Sequence, residues 1–137
     1  MQAAAINTMS GSDDMSVYTG GCLCGLVRFQ TTGRPDRVGL CHCLECRKHH
    51  GALFHASAIF APDRVQITGE TGAYQGRHFC PHCGSSVYSR SGDEIEVNIG
   101  ALDQIDQLTP SHELWTTRRE AWLPPFAVQQ RYERDRT

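Results

Sequence analysis

From Val17 onward the chain runs mostly in the rhythm of strands. "ALFHASAIFAP" alternates over eight positions, with Leu53, His55, Ser57 and Ile59 on one face and Phe54, Ala56, Ala58 and Phe60 on the other. The second face is uniformly apolar, which predicts a strand whose Phe54–Phe60 side meets the core. "EIEVNIGAL" alternates as well and turns Ile95, Val97 and Ile99 inward. "RVQITGE" and "AYQGRHFC" each read as one short strand, and "CPHCGSSVYSR" as a turn running into another. In "VYTGGCLCGLVRF" a turn is expected at Gly20-Gly21, then a run with Leu26 and Arg28 facing one way and Val27 and Phe29 the other. "LECRKHH" alone carries a helical expectation, one or two turns stopped by Gly51 as a C-cap. Beyond Leu102 the two tryptophans and Pro124-Pro125 suggest a segment that wraps the domain rather than a strand. The pattern as a whole is that of a small mainly-β domain whose loops carry thiols.

Length and composition sharpen this picture. A chain of 137 residues is expected to form one domain and bury roughly 68% of the surface its unfolded form exposes, so it does not need metal or disulfides merely to own a core. Residues 1–15 lack a basic n-region and an apolar h-region and are expected to be a disordered extension. Residues 16–128 would be the domain, and 129–137 a frayed tail. No stretch approaches the ~18 apolar residues of a membrane span. A reducing cytoplasm is therefore the expected location, and there seven clustered cysteines read as metal ligands or catalytic groups. The odd number also disfavours a pure disulfide framework. Formal charge is -2, and seven thiolates holding two zinc ions would take it to about -5. That balance suits a small molecule or a protein better than a phosphate backbone, so neither nucleic acid nor a membrane is expected as partner.

The cysteines fall into constellations with distinct chemistry. In "FCPHCG" the proline presets the turn and the glycine relieves crowding, so backbone N–H groups can point at the sulfurs of Cys80 and Cys83. "GGCLCG" offers Cys22 and Cys24 between glycines. Together these four would form a closed, structural tetrathiolate zinc site tying the first strand to the second half of the domain. The plainer alternative makes Cys22 and Cys24 buried core thiols. "CHCLECRKHHG" then keeps Cys41, Cys43 and Cys46 to itself. His42, between two ligands, is expected to point away, while His49 could reach the metal from the helix. Two readings stand: a second structural zinc with three cysteines and one histidine, or three protein ligands and an open fourth position, as in catalytic zinc. Three thiolates against one zinc leave a net charge near -1, which makes a weak Lewis acid better suited to holding an incoming thiolate than to activating water. Arg47, Lys48, His49 and His50 would offset that charge or pair with a ligand carboxylate, unless they are a solvated helix face.

"GGCLCGLVRF", "CHCLECRKHHG" and "FCPHCGSSV", in that order, resemble the three signatures of the glutathione-dependent formaldehyde-activating enzyme family, also called the centromere-protein-V-type domain. The tail around His112, Trp115, Trp122 and Pro124-Pro125 is similar too, and the resemblance runs from about Tyr18 to Phe126, using all seven cysteines. It implies a β-tent fold and two zinc ions per chain: Cys22, Cys24, Cys80 and Cys83 at a structural site, Cys41, Cys43 and Cys46 at the active site. It also implies addition of formaldehyde to the thiol of glutathione, giving S-(hydroxymethyl)glutathione, a carbon–sulfur lyase reaction run in reverse. His49, His50 or His55 would handle the proton. The two carboxylates of glutathione would need cations, for which Arg47, Lys48, Arg77, Arg118 and Arg119 are candidates. A thiol-binding protein without catalysis and a purely structural zinc protein are the alternatives.

Overall fold

Of the alternating segment, residues 55–60 become a central strand, and the rest of the described chain is arranged on either side of it. The structure, a computed structural model, describes residues 15–136; of the expected N-terminal extension only Met15 lies among them. The strands are β1 (Val17–Gly21), β2 (Arg28–Thr32), β3 (Arg37–Cys41), β4 (His55–Phe60), β5 (Val65–Thr68), β6 (Gly72–Tyr74), β7 (Arg77–Phe79), β8 (Ser86–Ser91), β9 (Glu94–Asn98), β10 (His112–Leu114) and β11 (Gln130–Arg131). They form a three-stranded sheet in the order β1-β2-β5 and an eight-stranded sheet in the order β11-β10-β3-β4-β9-β8-β7-β6. One core joins the sheets: Val27, just before β2, and Phe29 within it pack with Val38, Ala58, Phe60, Val87, Tyr88, Ile95 and Val97 from the large sheet. Ala58 and Phe60 thus face the core as their spacing predicts, but His55, Ser57 and Ile59 on the other face are buried as well.

The one α-helix among the described residues, α1 (Leu44–His50), forms where expected. The Cys43 side chain caps its start by accepting from the Cys46 N–H, and Gly51 ends it at φ 60°, donating to the Arg47 carbonyl. Arg47, Lys48, His49 and His50 occupy the last turn, where the helix dipole favours positive charge.

Several expectations are corrected. Gly20 and Gly21 lie inside β1, and the turn is made by Cys22–Val27, closed by hydrogen bonds from Gly25 N to Cys22 O and from Cys22 N to Val27 O. Glycine is needed at position 20 for close approach: a Cβ there would stand 2.5 Å from the Phe29 ring and 2.9 Å from Leu102 Cα. "AYQGRHFC" is a hairpin, β6 with β7, reversed at Gln75 (φ 51°) and Gly76 (φ 82°), the two left-handed residues a tight hairpin turn requires. Ile99 leaves β9 for a short 3-10 turn, yet still packs on the core. The C-terminal region is neither wholly a wrap nor frayed. β10 runs parallel to β3, and β11 parallel to β10. Tyr132 N then donates to Glu113 O at 2.9 Å and Trp115 N to Arg134 O at 3.0 Å. Such short strands carry too few residues to show a period; the open edge of β3 recruits them. Among the described residues no helix is long and apolar enough to cross a membrane.

Candidate metal centres and the cavity beside them

Two turns that are far apart in sequence bring four sulfurs together. The ligand atoms of Cys22, Cys24, Cys80 and Cys83 all lie within 4.8 Å of one another. Cys24 Sγ stands 3.6 Å from Cys22 Sγ and 3.7 Å from Cys80 Sγ. Four sulfurs about 2.3 Å from a central zinc would be about 3.8 Å apart along the tetrahedron's edges, so the spacing fits that metal. Backbone donors aim at the sulfurs as the knuckle sequence leads one to expect. Val27 N reaches Cys22 Sγ at 3.2 Å, while His82 N and Cys83 N reach Cys80 Sγ at 3.4 and 3.5 Å. Hydrogen bonds from the Ser85 hydroxyl and backbone lower the Cys83 thiol to about 5. This centre can hold a metal ion with no position left for a substrate.

The second centre consists of Cys41 at the end of β3, Cys43 at the helix cap and Cys46 in the first helical turn, again within 4.8 Å of one another. No histidine joins this group among the described residues. His42 points away into the interior, as expected, and bonds Glu113 at 2.7 Å. His49 is held elsewhere, its Nε2 3.0 Å from Ser86 Oγ. Bonding from Cys46 lowers Cys41 to about 7 against the effect of burial, while Cys46 is pushed well above the thiol range by Cys41 and burial. Three thiolates crowded together resist ionising jointly, and a cation among them would relieve that repulsion. Chemistry and spacing therefore fit a divalent metal held by three thiolates.

This centre opens onto a cavity of about 290 Å³ whose lining includes Cys41, Cys46, His50 and His55. Sheet register builds the floor. Cys41 lies opposite His55, and Gly39 lies opposite Ser57 on one side and His112 on the other. Arg37, Ile59, Glu96, Ser89 and Arg77 form a row across five strands. Residues directly opposite on neighbouring strands share a face, so the His55–Ser57–Ile59 face read from the sequence becomes the cavity floor. Burial raises the Glu96 carboxyl above the ordinary range, helped by the charge of Glu94.

The His50 ring stacks on that of His55 at 4.0 Å, and both line the cavity. Burial and the neighbouring His55 and His49 lower His50 to about 3, so it is neutral near pH 7. A chain of bonds orients this pair. His55 Nε2 donates to Asn98 Oδ1 at 2.8 Å, Asn98 Nδ2 donates to Ser86 Oγ at 2.9 Å, and the Ser86 hydroxyl donates to His49 Nε2.

The cations named from the sequence divide sharply. Arg47 is engaged by Glu120 at 2.6 Å and by the Arg118 carbonyl. Arg119 bonds Glu113 and the Leu123 carbonyl. Lys48 lines a separate surface groove with Tyr74 and Glu45, and Arg118 lies beside Cys43 in another. Only Arg77 reaches the cavity beside the three-thiolate centre, where Arg37, Arg90 and Arg136 join it. Arg37 is bidentate to Glu94 and Arg77 pairs with Glu45. Arg90 and Arg136 have no ion-pair partner among the described residues. Sequence reasoning missed these three arginines, Glu96 and Glu113. Alternation in β9 did hint at Glu96, whose neighbours Ile95 and Val97 face the core, whereas nothing local marks the others.

The fold and the site thus define a mainly-β domain with two cysteine centres that can hold metal ions, one of them beside a polar cavity. The family model described as "Glutathione-dependent formaldehyde-activating enzyme" matches residues 17–118, and the chain belongs to that family. No curated protein matches the chain. Among solved structures, a Rhodobacter sphaeroides protein shares the fold, with a TM-score of 0.53, 22% identity, and coverage of 65% of this chain and 91% of that one.

Proposed function

We propose that this protein binds two zinc ions and adds glutathione to formaldehyde at the Cys41–Cys43–Cys46 centre, acting as a carbon–sulfur lyase in the synthetic direction. The observation that carries this reading is a three-thiolate centre with no fourth protein ligand among the described residues, opening onto a cavity lined by arginines. Zinc bound there would supply a position at which an incoming thiol is held as its thiolate. Arg90 and Arg136, which form no ion pair among the described residues, are the groups that bind the carboxylates of glutathione; they replace Arg47, Lys48, Arg118 and Arg119 in that role. His50 shares the cavity with Cys41 and Cys46, so a ring nitrogen takes the proton as the thiol binds, and the thiolate sulfur then attacks the carbonyl carbon. The carbonyl π pair moves to oxygen, which takes the proton back, and S-(hydroxymethyl)glutathione leaves with atoms and charge balanced. His55, fixed by Asn98, keeps the His50 ring in place by stacking.

The test is exchange NMR of glutathione and formaldehyde with and without the zinc-loaded protein. The expected result is a hemithioacetal formation rate that rises in proportion to protein. No gain across several thiols and aldehydes refutes catalysis, and thiol binding without a gain identifies a carrier instead.

A further inference from the structure

Behind the three-thiolate centre lies a buried polar knot that the proposed reaction does not use. Glu113 is 1% exposed and His42 is 0% exposed, and neither belongs to the hydrophobic core. The Glu113 carboxylate has three partners: it accepts hydrogen bonds from His42 Nε2 at 2.7 Å and Arg119 Nε at 3.0 Å, and it forms an ion pair with Arg131 Nε at 3.3 Å. Each partner belongs to a different part of the chain. His42 separates Cys41 from Cys43. Arg119 also donates to the carbonyls of Leu123, at 2.6 Å, and Pro124. Arg131 lies in β11 and donates to the Phe126 carbonyl. The ring of Phe126 closes the knot by packing on Phe54, and Phe54 packs on His42.

The backbone shows what this arrangement can control. Cys41 ends a strand and Cys43 is extended, with φ -62° and ψ 157°. In extended chain successive side chains point to opposite sides. Anchoring His42 at the back therefore aims Cys41 and Cys43 together at the front. The anchor is reinforced by His42 N donating to the Leu114 carbonyl at 3.1 Å. The same strap carries Trp115 to the flank of Cys43 and Asp135 to the cavity, where Trp115 Nε1 donates to Asp135 Oδ1 at 2.8 Å.

We infer that Glu113 is a positioning residue for the three-thiolate centre: through His42 it sets the direction of Cys41 and Cys43 and ties the centre to the C-terminal strap. This rests on the reading of that centre as a metal site. Groups that hydrogen-bond a metal's ligands directly govern affinity by about 10–100-fold, and Glu113 acts one residue further back, through the His42 that lies between two of them.

The experiment titrates the full chain and its Glu113→Gln variant with Zn²⁺ against a chromophoric chelator, and with Co²⁺ followed by its d–d and thiolate charge-transfer bands. Glu113→Gln keeps the shape but leaves two guanidinium groups facing a neutral amide. The expected result is about a 10–100-fold loss of affinity at the three-thiolate centre with altered Co²⁺ bands, while the four-thiolate centre is unchanged. Equal weakening of both centres, or no change at either, overturns the inference. A wild-type chain that binds one metal refutes the underlying reading as well, whereas two metals with an unselective variant refute this inference alone. If Glu113→Gln does not fold, His42→Gln and His42→Leu decide by the same criteria. The first keeps a donor toward Glu113 and retains affinity; the second loses it at the three-thiolate centre only.

Discussion

Replacing Gly39 with alanine tests the architecture of the cavity without touching a ligand. Gly39 faces His112 across the parallel β3–β10 pair, and the imidazole lies directly over the glycine. An added Cβ would stand 2.5 Å from His112 Cε1 and 2.8 Å from Cδ2, with Nε2 closer still. Carbon atoms rest about 3.5–4.0 Å apart, so the ring must retreat by roughly 1 Å or β10 must move. His112 is buried and β10 also carries Glu113 and Leu114, which leaves little room for either adjustment. Overpacking of this kind costs about 1–3 kcal/mol. At roughly 3–5 °C per kcal/mol for a chain of this size, about 2 kcal/mol lowers Tm by about 5–10 °C. Thermal unfolding of the zinc-loaded protein by circular dichroism measures this. Gly100→Ala is the control, because its Cβ would meet nothing within 4 Å, and its Tm should be unchanged. A Gly39→Ala variant melting within about 1 °C of wild type would refute the packing of His112 on this glycine.

Three further outcomes follow from the same structure. Cys80→Ser removes a buried thiol of the four-cysteine centre whose sulfur accepts two backbone N–H groups. Structural zinc supplies about 10–16 kcal/mol against a total stability of about 5–15 kcal/mol, so this variant should lose one metal per chain and its near-ultraviolet dichroism. Two metals at an unchanged Tm would contradict the structural role. Arg90→Gln should weaken glutathione binding about 10–100-fold, the scale of a lost charge-assisted bond of about 1.5–3 kcal/mol, and calorimetry giving equal affinity would remove Arg90 from the ligand site. The Arg37 hydrogen bonds hold the Glu94 carboxyl below its ordinary value. A depressed carboxyl contributes stability above its unfolded value, about 4.3, and loses it as pH falls through the lower folded value. Urea unfolding should therefore separate wild type from Arg37→Gln at pH 7, with the gap closing below about pH 4. A gap that stays constant with pH would show that the pair contributes through packing instead.

Much of the site was legible because its information is local. Cys-Pro-x-Cys-Gly specifies a turn whose amides face sulfur, and three cysteines running into a short helix specify a second cluster. Gly51 marks the helix end by the left-handed conformation that it adopts. Alternation from His55 to Phe60 separated the core face from the face that became the cavity floor, because side chains in a strand change sides at every residue. These features follow from backbone geometry over a few residues.

The tertiary structure decided what depends on distant partners. Arg47, adjacent to the cysteines in sequence, turns away to Glu120, while Arg90 and Arg136 reach the cavity from β8 and the C-terminal tail. Their arrival is set by sheet register and by parallel pairing at the β3 edge, which no short window of sequence contains. The same pairing buries Glu113 against His42, 71 positions away. The sequence by itself determined which residues can bind metal and which way each strand faces. Only the long-range pairing of strands determined which cations, and which carboxylate behind the ligands, share that centre, because a charged side chain bears no local mark of its partner across the sheet.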